Sequence, residues 1–292
     1  MKACLVCKKA NFETVVNSKD FCVSHEDFKV VRCTNCGFGF TENAPDVSKI
    51  GEYYEHTDYV SHTDTKEGLF FNIYHKVRSF MLGQKRAYIN KHTAVNNILD
   101  IGAGTGYFVN HMQSHGTAVT GFEPDNDARA QAKKNFGIEL EPSLEGILGR
   151  NEVFDAISMW HVLEHVHDLK EYFGHFQQLI KTRGVLAIAV PNYSSFDGRF
   201  YKKFWAAYDL PKHLWHFSPD SIKLLAQSNG FDHLQSYAMP FDPFYIALLS
   251  EGHKQSGGGG KIRALFIGMT SFLKGFFNPE KASSVVYIFR KR

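Results

Sequence analysis

Long apolar runs are missing from this 292-residue chain. The longest, near Val185–Val190 and Ala264–Met269, fall well short of the roughly 18 residues that a membrane span requires. The opening MKACLVCKKA has lysines toward both ends and no unbroken apolar stretch before a cleavage site, so the expectation is a soluble, cytoplasmic protein without a secretory signal. A surplus of one charge is missing too. Lys and Arg number 33 against 30 Asp and Glu, and a net +3 gives no case for a nucleic-acid partner by charge alone. Cysteine is scarce, with five residues, which suits a metal site in a reducing compartment better than a disulfide framework.

What is present is ordinary globular material. Hydrophobic residues at 43% and charged residues at 22% exclude a disordered chain, and the length allows one full α/β domain with appendages. The 26 phenylalanines and 15 histidines fit a Phe-rich core first and an aromatic-lined pocket second.

Four of the five cysteines form two C-x-x-C pairs, Cys4/Cys7 and Cys33/Cys36, the ligand set of a tetrahedral structural zinc. Gly37 allows the tight turn of such a knuckle, and Phe12–Val16 and Phe28–Arg32 read as short strands between the pairs. A zinc ribbon over residues 1–45 follows, acting as a scaffold with no chemistry of its own. Cys22, left over, is expected to be a small buried hydrophobe.

Residues 46–95 form a helical cap or linker. Tyr53, Tyr54 and Tyr59 precede a stretch from Glu67 to Lys91 whose apolar positions Phe70, Ile73, Val77, Phe80, Met81 and Tyr88 fit an amphipathic helix, interrupted near Gly83. Thereafter short apolar runs alternate with helical stretches: Asn97–Asp100, Ala118–Phe122, Phe154–Met159, Val185–Val190, Phe231–Met239 and Ser284–Lys291. This alternation predicts a parallel sheet covered on both faces over residues 96–292, with a loop at 192–217 and an insertion at 240–283.

Asp100-Ile-Gly102-Ala-Gly104-Thr-Gly106 follows the first of these strands and opens a helix, where a doubly wound fold places its ligand-binding turn. The third glycine comes one place early for a dinucleotide fingerprint, with Tyr107 at the expected site, and the carboxylate before the first glycine suits a cationic ligand better than a pyrophosphate. Glu123 ends the next strand, where a carboxylate can take two ribose hydroxyls.

The DIGAGTGYF segment resembles the first motif of the class I S-adenosylmethionine-dependent methyltransferases, and the likeness continues through GFEPD at 121–125, FDAISMWHVLEHV at 154–166 and RGVLAIAVPN at 183–192. It implies a Rossmann-like, seven-stranded α/β sheet. Asp100, Gly102, Gly104 and Gly106 would line the methionine end of the cofactor, Glu123 the ribose, and Pro124 or Asp125 the adenine edge. Trp160 would face the methyl donor or the acceptor. The ribbon, LPKHLWHFS at 210–218 and the SSVVYIFRK end resemble a bacterial subgroup associated with surface-glycan and small-molecule modification.

His161-Val-Leu-Glu164-His165 also matches H-x-x-E-H, a zinc-peptidase pattern, but no third ligand is identifiable and the motif falls where the resemblance puts a cofactor-facing strand end. The aromatic and histidine-rich loop 192–217 is read as the acceptor pocket. Its His213 is the first candidate for a general base, followed by His161 and His216, with pinning of the loop through Asp209 as the alternative for His213. The stripe Ile262, Leu265, Phe266, Met269, Phe272, Leu273 and Phe276 is read as packing over a pocket or against a second subunit of a homodimer, ahead of a membrane-surface helix. The expected activity is methylation of a small-molecule hydroxyl: a sugar, quinone-like or phenolic acceptor. An RNA methyltransferase and a non-catalytic cofactor-binding module are the alternatives. Against RNA, residues 1–45 hold Lys2, Lys8, Lys9, Lys19, Lys29 and Arg32 against Glu13, Asp20, Glu26, Asp27 and Glu42, one net positive charge.

Overall fold

The computed structural model describes residues 2–54 and 69–292, with the side chains of 69–74 outside the description. Tyr59 and the side chains of Phe70 and Ile73 therefore lie outside the described residues.

All six apolar runs are strands of one mixed sheet. β4 (Asn97–Ile101), β5 (Ala118–Phe122), β6 (Phe154–Trp160), β7 (Ile180–Pro191), β9 (Phe231–Ala238) and β10 (Ser284–Lys291) stand in the order β5-β4-β6-β7-β10-β9. The first four are parallel, and β10 runs antiparallel between β7 and β9. The central strands are apolar almost without interruption because helices cover both faces, so neither face can be polar. The expected seven-stranded sheet is one strand short among the described residues. Beyond β5 the chain makes a single parallel bridge, Phe122 to Glu141, where Pro142 and the Ser143 cap of α4 (Leu144–Leu148) end the pairing.

Helices α2 (Tyr107–Gln113), α3 (Asn126–Phe136), α5 (Leu169–Leu179) and α7 (Pro219–Ser228) flank the sheet. Their starts are readable in side chains: Asp125 and Asp168 cap α3 and α5, and Ser218 forms a capping box with Ser221 on α7. α1 (Leu69–Asn90) runs without a break at Gly83, a glycine whose extra Cβ would meet open space. Two helices, α8 (Asp242–His253) and α9 (Gly259–Phe277), form a hairpin inserted between β9 and β10. Among the described residues no helix is long and apolar enough to cross a membrane.

The N-terminal residues build β1 (Phe12–Lys19), β2 (Asp27–Cys33) and β3 (Gly39–Glu42), an antiparallel sheet whose fourth strand, β8 (Trp215–His216), comes from the 192–217 loop. Phe38 stacks on Trp215 at 5.5 Å, and Cys4, Val6, Cys33 and Phe38 share one core cluster with Leu99, Ile101 and Met159 of the large sheet. Cys22 is exposed rather than buried, because the turn that carries it is folded over Asp20, whose carboxylate accepts the Cys22, Val23 and Ser24 N–H groups.

Candidate active site

The chain leaves β4 for β5 on one side and then crosses to β6 on the other, so the carboxyl ends of β4 and β6 border the crevice where open α/β sheets bind ligands. At this edge Gly102, Gly104 and Gly106 have φ of +73°, +53° and +79°. A Cβ on Gly102 would collide with Val162, and one on Gly106 would approach Ala132 Cβ to 3.0 Å. A Cβ on Gly104 would meet nothing within 4 Å, so that side of its backbone borders open space. The Gly104 N–H donates to Glu123 Oε2 at 2.7 Å, and the Asp125 N–H donates to Oε1 at 3.0 Å. Burial raises the Glu123 carboxyl above its usual range in spite of those bonds. Asp125 caps α3, while the carbonyls of Glu123 and Pro124 accept from Arg129.

Asp100 pairs across the ladder with Ser158, whose hydroxyl donates to Asp100 Oδ1 at 2.6 Å. Its burial pushes the carboxyl up to about 7, against the Ser158 bond and the charge of Lys85. Lys85, from α1, places its ammonium 4.6 Å over the Trp160 ring. The Trp160 indole N–H is buried and is directed at the Asp100 carboxylate, whose pKa it helps to lower, without meeting full hydrogen-bond geometry among the described residues. Open space beside a glycine and a buried indole N–H beside a buried carboxylate, at one strand edge, are what a cradle for a polar ligand offers.

His161 follows Trp160 in the left-handed region, φ +59°, an uncommon conformation for a residue with a Cβ. The turn aims its ring between two carboxylates: Nδ1 lies 3.4 Å from Glu164 Oε1 and Nε2 lies 3.2 Å from Asp242 Oδ2. Burial alone would lower its pKa, but Asp242 and Glu164 together push it up to about 9. Glu164 is fully buried, whereas His161 is one-third exposed.

The other two candidate bases are placed differently. His213 is buried, its Nδ1 donating to the Ala207 carbonyl at 3.0 Å, with Asp209 at 3.9 Å from Nε2. Burial, reinforced by His165 and His216, holds its pKa well below the usual value. His216 is buried on β8, bonded through Nε2 to the Thr41 hydroxyl at 2.9 Å, and burial takes it down to about 3. Glu164, His165 and His213 bring ligand atoms within 4.8 Å of one another, a group from which His161 is absent, so the H-x-x-E-H pattern does not assemble as in a peptidase.

The 192–217 loop is more core than cover. Tyr193, Tyr201, Trp205 and Tyr208 are buried with Val30 of β2 and Ala264 of α9, and the Tyr193 hydroxyl donates to the Gly37 carbonyl at 2.6 Å. Several of these rings also wall a cavity of about 800 Å³ against Val15 and Arg32, which none of Gly104, Trp160 and His161 lines. In the ribbon, Cys4 and Cys36 Sγ are 3.5 Å apart, as are those of Cys7 and Cys33, and all four lie within 4.8 Å of one another. Sulfurs around a zinc at about 2.3 Å sit about 3.8 Å apart, so the set has tetrahedral size.

Sequence reasoning missed Lys85, Arg129 and Asp242. Only Arg129, one helical turn past the Asp125 cap that follows Glu123, had a local signal; Lys85 and Asp242 reach the site from elements far off in the chain.

A family model described as a methyltransferase domain matches residues 74–236. The chain is 30% identical over 164 residues to the mitochondrial ubiquinone biosynthesis O-methyltransferase of Homo sapiens, a match covering 50% of this chain and 44% of that protein. It is 28% identical over 163 residues to the ubiquinone biosynthesis O-methyltransferase of Dinoroseobacter shibae, covering 50% and 64%. The chain thus spans about half the length of the curated relatives it matches. Among solved structures, an SAM-dependent methyltransferase from Archaeoglobus fulgidus aligns over 77% of this chain and 100% of its own, with 18% identity and a TM-score of 0.48.

Proposed function

Because the chain belongs to the methyltransferase-domain family, we propose that it transfers the methyl group of S-adenosylmethionine to a small-molecule hydroxyl, with His161 as the general base. Asp100 and the three glycines would hold the methionine end of the cofactor, Glu123 the ribose, and the stretch from Pro124 to Asp125 the adenine edge. When bound, the cofactor supplies an electrophilic methyl on a sulfonium. The open space beside Gly104 and the buried Trp160 N–H next to Asp100 support this assignment.

The observation that carries the choice of base is the setting of His161. Buried Glu164 lies 3.4 Å from Nδ1, and Nε2 faces the partly exposed Asp242 carboxylate at 3.2 Å, so the proton of the neutral ring belongs on Nδ1 and Nε2 is the atom nearer the acceptor. In the neutral ring the Nε2 lone pair would take the proton of the acceptor hydroxyl, whose oxygen would gain the methyl in line as the bond to the sulfonium sulfur breaks and a neutral thioether leaves. His213 and His216 hold the loop to the ribbon instead, and the four cysteines would hold a structural zinc that keeps that sheet in place. The names of the relatives favour oxygen as the acceptor atom and a phenolic or quinol-like ring over a sugar.

The test is incubation with methyl-labelled donor and a panel of phenolic, quinol and sugar acceptors. Label on an oxygen, slowed by about 10²–10⁴ in His161→Gln, is the expected result. Folded, cofactor-binding protein that labels nothing, or a His161→Gln enzyme of full rate, would overturn the proposal.

A further inference from the structure

Helix α9 is amphipathic in reverse. The side it buries carries Gly260, Ala264, Gly268, Ser271 and Gly275. These positions are small because the helix lies flush on its neighbours: a Cβ on Gly268 would come within 2.8 Å of the Phe244 ring, and one on Gly275 within 2.8 Å of Ala282 Cβ. The large residues point the other way. Ile262, Leu265, Phe266, Met269, Leu273 and Phe276 are all exposed, at 64%, 59%, 68%, 43%, 46% and 70%, and Phe277 at the helix end is 81% exposed. Their spacing places them along one face, and Tyr245 and Leu248 of α8 extend the apolar surface across the hairpin. Of the stripe noted in the sequence, Phe272 turns toward Phe244 at 6.1 Å and the rest is exposed among the described residues. A contiguous apolar surface of this kind marks an interaction site.

We propose that the α8–α9 hairpin docks this protein on an anionic lipid bilayer, with α9 lying in the plane of the headgroups. The charges favour a bilayer over a second copy. α9 contains Lys261, Arg263 and Lys274 and no carboxylate, and Lys254 and Lys281 follow the ends of the two helices. Arg263 is paired with Glu251 on α8 at 2.6 Å, while Lys261 and Lys274 are exposed at the borders of the apolar face, the Lys274 ammonium 5.4 Å over the Phe196 ring. Aromatic and aliphatic side chains interleaved with cations match the boundary between acyl chains and anionic headgroups. A two-fold pairing of the same face would set these lysines against one another with no carboxylate on the helix to meet them. Three cations in 19 residues, together with the small buried face that fixes α9 to the protein, make a helix that lies on a membrane and does not cross it. The inference is independent of the methyl-transfer reading.

The experiment is co-sedimentation of the full chain with vesicles of phosphatidylcholine, alone or with 30% phosphatidylglycerol, at low and high salt, alongside light scattering of the free protein. Binding to the anionic vesicles is expected, weakened at least tenfold in Leu265→Ser/Phe266→Ser/Phe277→Ser and in Lys261→Glu/Lys274→Glu. Both variants change exposed residues and should keep the wild-type melting temperature. Absence of vesicle binding, binding that both variants retain, or a dimer that the serine variant dissolves would each overturn the proposal, the last showing that the face joins two copies of the chain.

Discussion

The Nε2 atom of His161, at the end of β6, lies 3.2 Å from Oδ2 of Asp242, the first residue of α8. This contact joins the crevice of the sheet to the helical insertion and, with Glu164, stabilises the charged imidazole. It dictates a pH dependence. His161 must be neutral to accept a proton, so methyl transfer should rise with pH toward about 9, where the ring titrates. Asp242→Asn removes one of the two carboxylates that raise that value, so the same rise should occur at lower pH. A pH–rate profile of both proteins checks this. A profile that Asp242→Asn leaves in place would remove Asp242 from the site.

His213 and His216 should matter for stability, and their burial sets its dependence on pH. Both are buried, with folded pKa values below the usual 6.5. Below pH 6.5 the unfolded chain takes up protons that the folded chain refuses, so stability falls on acidification, by up to about 1.4 kcal/mol per pH unit for each ring. Urea unfolding at pH 7.5 and 5.5 should show the loss. His216→Gln should flatten it while leaving turnover at neutral pH close to wild type.

The glycines of the loop should separate folding from binding. Gly102→Ala adds a Cβ that collides with Val162 on a left-handed backbone, and should cost on the order of 1–3 kcal/mol of stability. The Cβ of Gly104→Asp meets no atom within 4 Å, so its cost should be chiefly that of the left-handed conformation, about 1–2 kcal/mol, while it places a carboxylate toward the open space where a cofactor would lie. Melting temperatures and cofactor titrations of the two variants should therefore rank in opposite orders.

Removing metal from the ribbon should be felt in the 192–217 loop, because β3 pairs with β8 and Phe38 stacks on Trp215. Metal analysis should find one zinc per chain. Chelation or Cys33→Ser should lower the melting temperature and change the Trp215 fluorescence. Protein that purifies without metal and melts normally would show that the four thiols stabilise the ribbon unaided.

How legible these features were in the sequence follows the range of the interactions behind them. The central strands announced themselves because strands buried on both faces read as apolar runs, and the glycine turn because it requires three left-handed positions within five residues. The cysteine pairs are local, and the structure brings their sulfurs together. The identity of the best-placed histidine was not legible. His213 and His161 differ in what packs around them, and that is decided by Ala207, Glu164 and Asp242, the last from an element far downstream. The 192–217 loop looked like a pocket because aromatic residues line pockets and cores alike, and only its pairing with β3 shows how much of it is core. For the stripe on α9, composition alone could not say which side faces inward; the small residues at Gly260, Ala264, Gly268, Ser271 and Gly275 settle that.

The central claim is that the crevice between β4 and β6 holds S-adenosylmethionine. Its most direct test is calorimetric titration of the zinc-replete protein with S-adenosylhomocysteine, with NADH as the control ligand and Gly104→Asp as the control variant. Micromolar binding of S-adenosylhomocysteine alone, lost in Gly104→Asp, is the expected result. Folded wild-type protein that binds neither ligand, or that binds NADH instead, would contradict it.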